Sequence, residues 1–85
     1  MEEKEIGEVS HYFGKIGVAA LKISADSLSA GDSIHIKGHT TDLQQTVDAM
    51  QVEHIDVKTA KTGDEIGIKV KDHVRVGDKV FKVTP

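Results

Sequence analysis

Apolar residues recur at every second position in several short stretches of this chain. Residues 34–37 (Ile-His-Ile-Lys) and 66–71 (Ile-Gly-Ile-Lys-Val-Lys) show this alternation most clearly. Because successive side chains of a strand point to opposite faces, the alternation predicts strands with one buried face. Residues 5–13 and 80–83 are also predicted as strands, and 16–23 is apolar on both alternating sets, as in a strand covered on both sides.

The segment 43–54 fits two structures. Leu43, Val47 and Met50 have the spacing of one helix face, but they also fit a strand with one irregularity. No helix-stop signal follows, and the flanking segments have strand patterns. We therefore predict one long, bent strand here, followed by a short strand at 55–59.

A Gly-Asp pair precedes three of the predicted strands. Glycine reaches turn conformations that other residues adopt only at a cost, and an aspartate beside it can accept hydrogen bonds from nearby backbone N–H groups. We interpret the pairs as structural turns rather than as carboxylates that await a metal ion. The residues concerned are Gly31, Asp32, Gly63, Asp64, Gly77 and Asp78.

The number of predicted strands indicates the fold. Eighty-five residues suffice for one domain with a single core, which we predict to span residues 1–85. Strands separated by turns, without a convincing helix, indicate an all-β fold. Closure would remove exposed sheet edges, and no proline before Pro85 interrupts a ladder. We predict a small closed antiparallel β-barrel of six to seven strands.

Composition restricts the compartment and the partners. The chain has no cysteine, an acidic N-terminal segment at residues 1–5, and no apolar run of the roughly 18 to 20 residues that a membrane span needs. We therefore predict a cytoplasmic protein with no membrane contact. The net charge is −3 over residues 1–42 and zero over 43–85. This balance argues against tight nonspecific binding of nucleic acid.

Four segments in order resemble the second domain of translational GTPases, of which elongation factor Tu and bacterial initiation factor two are familiar members. The segments are 28–34 (Leu-Ser-Ala-Gly-Asp-Ser-Ile), 47–51 (Val-Asp-Ala-Met-Gln), 60–68 (Ala-Lys-Thr-Gly-Asp-Glu-Ile-Gly-Ile) and 74–78 (Val-Arg-Val-Gly-Asp). The likeness extends over about residues 14–84. It implies a small antiparallel β-barrel of the elongation factor Tu domain II type, without the GTPase domain.

Nucleotide binding is not expected. The phosphate loop of GTPases has two glycines separated by four residues and followed by Lys and Ser or Thr. Here Gly14 and Lys15 are followed by Ile16, and the nearest upstream glycine is Gly7. We expect no GTP hydrolysis and no cofactor.

The resemblance points to two positions for a tRNA contact. In elongation factor Tu the barrel helps hold the end of aminoacyl-tRNA through an arginine and a glutamate. Those positions fall here at Lys22, which follows Leu21, and at Gln51. Lysine lacks the planar bidentate geometry of arginine, and glutamine lacks the carboxylate charge. Similar barrels outside translation include one that looks like the C-terminal appendage of some U32-type peptidases.

Basic residues are concentrated in the last third of the chain. If they share an outward face, they could meet RNA phosphates or an acidic protein, and the alternative is a solvated face balanced by nearby acids. Tyr12 or Phe13, whichever is exposed, could stack on a base or anchor a protein, and core packing is the alternative. The candidate partner-binding residues are Lys22, Gln51, Lys58, Lys61, Lys69, Lys71 and Arg75.

No catalytic or metal-binding motif is present. His35 and His39 lie four residues apart, a spacing that aligns ligands only on a helix. A Gly-x-Ser-x-Gly elbow is missing, and a barrel of this size leaves no deep substrate pocket. We expect surface or edge histidines that titrate near neutral pH, with no metal site and no enzyme activity. The five histidines are His11, His35, His39, His54 and His73.

These observations predict a non-catalytic binding module. On the resemblance above, it would dock on RNA, the ribosome or a translation-related protein. The alternative is an accessory protein-interaction barrel that acts with a non-translation enzyme, such as a U32-type peptidase. The oligomeric state and the functional face stay open.

Overall fold

Ten antiparallel β-strands make up the part of the chain that the structure describes. A computed structural model describes residues 2–53 and 55–84, and this part contains no helix long and apolar enough to cross a membrane. The all-β, antiparallel prediction is confirmed. The strands are β1 (Glu2–Phe13), β2 (Val18–Ile23), β3 (Leu28–Ser29), β4 (Ser33–Lys37), β5 (Asp42–Thr46), β6 (Met50–Val52), β7 (Ile55–Val57), β8 (Thr59–Ala60), β9 (Glu65–Lys69) and β10 (Lys79–Thr84).

Eight of the strands form one sheet. Their order is β5-β4-β10-β1-β2-β9-β6-β7, and β3 pairs with β8 in a separate two-stranded sheet. The long strand β1 lies inside the large sheet, with β10 on one side and β2 on the other. The beginning and the end of the described chain are therefore adjacent, Glu2 being paired with Thr84.

The predicted closed barrel is not found. The end strands of the large sheet are β5 and β7, and no ladder joins them in the described part of the chain. Instead, the buried Gln45 side chain on β5 reaches the end of β9: its Nε2 donates to the carbonyl oxygen of Lys69 (2.8 Å), and its Oε1 accepts from the N–H of Lys71 (2.9 Å). In the predicted barrel, a ladder of backbone hydrogen bonds would close the sheet. Here the Gln45 side-chain amide connects β5 with the end of β9 instead.

The segment 43–54 forms two strands, not one long bent strand. The break follows β5, where the N–H of Val47 donates to the carbonyl oxygen of Asp32 (2.9 Å) and its own carbonyl accepts from the N–H of Gly31 (2.7 Å). These two hydrogen bonds attach the segment between β5 and β6 to the turn before β4. Val47 is nonetheless buried, which explains why the apolar spacing alone did not reveal the interruption. His54 lies outside the described residues.

Two bulges bend β1. Its register shifts between Glu5 and Gly7 against β10, and between Val9 and His11 against β2. An added residue increases local twist, so one strand can serve two differently oriented neighbours. Gly7 is required at the first bulge, because a Cβ there would collide with the carbonyl oxygen of Lys22.

The core is formed by the inward faces that the alternation predicted. Ile34, Ile36 and Ile66 are at most 1% exposed, and Ile68 is 2% exposed. The largest fully buried side chains are Ile6, Leu21, Ile23, Leu28, Ile34, Ile36, Met50, Ile66, Val9, Val47, Val74 and Val80.

Candidate functional site

The three Gly-Asp pairs form one repeated turn. In each, the glycine has a φ of +93° to +96° and the aspartate N–H donates to the carbonyl oxygen three residues earlier, the pattern of a type II turn. One carboxylate oxygen of each aspartate accepts the N–H of that same earlier residue. The pairs are Ser29–Asp32 (2.8 Å), Lys61–Asp64 (3.0 Å) and Arg75–Asp78 (2.9 Å).

These bonds account for the aspartates as local structure. Their carboxylates hold the backbone at the start of β4, β9 and β10, and Asp78 is only 6% exposed. Within residues 2–53 and 55–84, no three His, Cys, Asp or Glu side chains are grouped so as to hold a metal ion.

The candidate basic residues do not form one patch. Lys22 and Lys69 stand at opposite ends of the β2–β9 ladder, where Lys22 faces Glu65 and Lys69 faces Val18. Four residue steps of about 3.3 Å separate them along the strands, roughly 13 Å in all. Lys71 follows Lys69 at one of these ends, so the exposed lysines divide into at least two groups.

The other candidate residues lie in loops between strands or are hydrogen bonded to a side chain of the neighbouring strand. Lys58 and Lys61 are exposed before and after β8, and Arg75 lines a polar concavity of about 430 Å³ together with Asp42 and Asp72. Gln51 on β6 donates to Asp56 on β7 at 3.0 Å. The seven candidate partner-binding residues therefore lie at several separate places on the surface. Their role in partner binding stays a prediction.

Phe13 is the exposed member of the aromatic pair. It is 50% exposed, and its ring stacks on His11 with centroids 6.0 Å apart. Tyr12 is half-buried and packs against His73, with centroids 4.6 Å apart. Of the two alternatives left open by the sequence, surface exposure therefore applies to Phe13 and packing to Tyr12.

Phe13 borders an open groove of about 650 Å³. Its apolar lining includes Ile16 from the β1–β2 turn, Val18 from β2 and Val52 from β6. Ile16 is 64% exposed although it precedes a strand with an apolar pattern. The sequence patterns did not predict this groove. The one sequence signal for it is Ile16, an apolar residue placed in a turn between two glycines.

A second cluster links three strands on the outer face of the sheet. The ring of His35 on β4 lies between two carboxylates: Nδ1 is 2.7 Å from Glu3 on β1, and Nε2 is hydrogen bonded to Asp42 on β5. The Nζ of Lys37 is also 2.7 Å from Glu3. The His35 side chain is 14% exposed, so this contact is partly shielded from solvent.

The carboxylates favour the charged imidazolium. The hydrogen bond to Asp42, followed by that to Glu3, raises the pKa of His35 above its ordinary value, while partial burial opposes the shift. Hydrogen bonds from Lys37 and then His35 lower the pKa of Glu3. Because a ring with both nitrogens facing carboxylates donates at both only when protonated, geometry and pKa agree. The sequence did not indicate this cluster, since Glu3 lies 32 residues from His35.

Two curated proteins are similar in sequence to most of this chain. An uncharacterized protease of Methanocaldococcus jannaschii is 41% identical over 78 residues, which cover 91% of this chain and 19% of that protein. A collagenase of Porphyromonas gingivalis is 37% identical over 78 residues, which cover 91% of this chain and 22% of the collagenase. The chain therefore spans about a fifth of the length of these relatives. No protein-family model matches it.

The same fold occurs in a domain that has been crystallised by itself. The C-terminal domain of a Geobacillus thermoleovorans protein described as a U32 peptidase superimposes with a TM-score of 0.88 at 18% identity, covering 95% of this chain and 93% of that one. Its selenomethionine variant gives a TM-score of 0.84, covering 91% of this chain and 96% of that one. The present chain has the fold of that domain.

These comparisons overturn the translation-factor interpretation. The relatives are named as a protease and a collagenase, and the matching fold is the C-terminal domain of a U32 peptidase. The predicted family and the predicted role as a translation-factor module are therefore wrong, and the alternative is favoured. The Gly-Asp turns explain the error, because a type II turn before a strand solves a local problem of chain reversal and does not specify a partner.

Proposed function

We propose that this chain is a non-catalytic accessory domain that acts with the catalytic part of a U32-type peptidase. The observation that carries the proposal is the coverage: 91% of the chain matches proteins of which it spans only about a fifth. A module of this size, with a fold that also occurs as a separately crystallised C-terminal domain, fits an appended unit.

The side-chain geometry supports a role without catalysis. The Ser10 hydroxyl lies within hydrogen-bond distance of Glu65 (2.7 Å) and of the carbonyl oxygen of Ala20 (3.1 Å), and its single hydrogen is donated to one of them at a time. In the described residues no Ser or Thr hydroxyl is hydrogen bonded to a histidine, so the serine–histidine pair of a nucleophilic triad is not formed there. The ring nitrogens of His35 are both engaged by carboxylates, which favours a structural role for that residue.

A domain exchange tests the proposal. The 78-residue segment of the Porphyromonas gingivalis collagenase that matches this chain is deleted, or replaced by the corresponding residues of this chain. We expect the deletion to lower hydrolysis of collagen and the replacement to restore most of the loss, because the appended fold is retained. Gel-based cleavage assays measure both.

Two controls make the result decisive. Reinsertion of the native segment must restore activity, and an unrelated β-domain of similar size must not. If the native segment restores activity, the unrelated domain does not, and the corresponding residues of this chain also restore no activity, the proposal is wrong. Hydrolysis of the same substrate by the isolated 85-residue chain would contradict its non-catalytic part. The cytoplasmic location stays a prediction from the sequence.

A further inference from the structure

The groove beside Phe13 lies across four neighbouring strands, β1, β2, β9 and β6. One row of paired residues crosses it: His11 pairs with Ala20, Ala20 with Gly67, and Gly67 with Gln51. Because Ala20 has a small side chain and Gly67 has none, the middle of this row leaves room for a concavity. At one end of the row, β6 leaves β9 after Gln51 and turns towards β7.

Exposed apolar side chains are concentrated around this opening. Phe13 and Ile16, which are 50% and 64% exposed, line it directly. Ile55 is 66% exposed and pairs with Val52, so the two share a face of the β6–β7 hairpin. Two of the four most exposed large apolar residues in the described ranges thus line the groove, a third, Ile55, pairs with the lining residue Val52, and Val76, in the turn before β10, lies elsewhere.

The charges around the groove have one sign. Glu53, Asp64 and Glu65 line it, and no lysine or arginine does. Among the described residues of the lining, His11 is the remaining titratable side chain. Lys22 faces Glu65 across the β2–β9 ladder but lies outside the lining and forms no ion pair with it in the part of the chain that the structure describes.

We infer that this groove binds an extended protein segment whose apolar side chains are flanked by lysine or arginine. The apolar residues of the segment cover Phe13, Ile16 and Val52, where desolvation favours association. Its basic residues meet the carboxylates at the rim, which select against acidic segments. The inference extends the proposed function by naming a docking face and the chemistry that it accepts, and it holds whichever protein carries the segment.

A matched pair of peptides tests this directly. The ¹⁵N-labelled chain is titrated at low salt with blocked Lys-Leu-Val-Leu-Lys and with blocked Glu-Leu-Val-Leu-Glu, and amide shifts are followed by NMR. We expect saturable shifts centred on residues 13–18, 52–53 and 64–66 with the lysine peptide, and roughly tenfold weaker binding of the glutamate peptide. Added salt should weaken the lysine peptide more than the glutamate peptide.

Variants of this chain provide the controls. Ile16→Ser should reduce binding of the lysine peptide at least threefold, whereas Val76→Ser should not, although the two residues are equally exposed. Glu65→Gln should reduce the difference in affinity between the lysine peptide and the glutamate peptide. Equal binding of both peptides, shifts centred on another face, or an Ile16-dependent dimer in sedimentation without peptide shifts would each overturn the inference.

Discussion

A histidine held between two carboxylates behaves differently from one free in solvent. His35 connects Glu3 on β1 with Asp42 on β5, so a single ring fastens three strands. Its charged form is stabilised by both acids, and Lys37 shares the carboxylate of Glu3. The sequence predicted surface or edge histidines but did not show these contacts, because Glu3 lies 32 residues from His35 and becomes its neighbour only in the folded sheet.

The cluster predicts a pH dependence of stability. The pKa of His35 is raised above 6.5 in the folded chain, so its contribution is complete below that pH and is lost as the pH rises through the folded-state pKa. The pKa of Glu3 is lowered below 4.5, so its contribution is lost only as the pH falls through that lower value. In His35→Gln the free energy of unfolding should decline less between pH 6 and about pH 8.5 than in the original chain.

Urea unfolding at intervals across this pH range measures the difference. His39→Gln is the matched control, because His39 is exposed in the β4–β5 connection and takes part in no side-chain hydrogen bond in the described residues. It should leave the slope of stability against pH above 6 unchanged. Parallel slopes for the His35 variant and the original chain would show that the carboxylate contacts do not form in solution.

At the scale of the element, β1 is the strand on which the sheet depends. Its first part pairs with β10 and its second part with β2, and the two ladders overlap only at Gly7 and Glu8, with one bulge on either side of this overlap. The first bulge brings the backbone of β1 against that of β2 at Gly7. Close backbone approach of this kind leaves no space for a side chain.

Gly7→Ala should destabilise the chain by more than about 2 kcal/mol, because the added Cβ collides with the rigid carbonyl of Lys22. Gly67→Ala is the matched control. Its Cβ would lie 3.7 Å from Val18 Cγ1, an ordinary contact, and a strand alanine is about 0.5–1 kcal/mol better than glycine. Chemical denaturation should rank Gly67→Ala at or above the original chain and Gly7→Ala well below it; equal effects would place the bulge elsewhere.

Some elements could be predicted from the sequence, and others depend on contacts that it does not display. Residues 34–37 and 66–69 alternate regularly, and their buried faces follow from that period. β1 was predicted only from residue 5, because the charged residues 2–4 carry no apolar period and are ordered by pairing with β10. The groove was missed because it is lined by residues from 11–20, 51–53 and 63–67, which come together only in the folded sheet.

At the scale of the whole molecule, the side-chain amide of Gln45 connects the end strand β5 to the end of β9, although no ladder joins the two strands in the described residues. Gln45 is 8% exposed and satisfies a carbonyl at the end of β9 and the N–H that follows it. The prediction of a closed barrel rested on the need to protect sheet edges. The position of Gln45, two residues from both Leu43 and Val47, fits the buried face of a strand, but the pattern of 43–54 was ambiguous and the two bonds to the end of β9 form only in the folded sheet.

Gln45→Leu should lower the free energy of unfolding by about 1–3 kcal/mol, because two backbone groups lose their partner in a partly buried position. Gln44→Leu, on the exposed face of the same strand, should change it by no more than about 0.5 kcal/mol. Urea unfolding gives both values. Hydrogen exchange at the amide of Lys71 adds a local test: faster exchange is expected in Gln45→Leu, and unchanged exchange would mean that the bridge is absent.

Because Glu2 pairs with Thr84, the order of the strands along the chain can be changed without changing which strands are neighbours. Paired residues in an antiparallel ladder have Cα atoms about 5 Å apart, so a short loop can join these two positions. The polypeptide could then be cut between the exposed residues His39 and Thr40. Such a circular permutant would begin at β5 and finish at β4 while keeping every ladder, which makes the order of synthesis separable from the architecture that it produces.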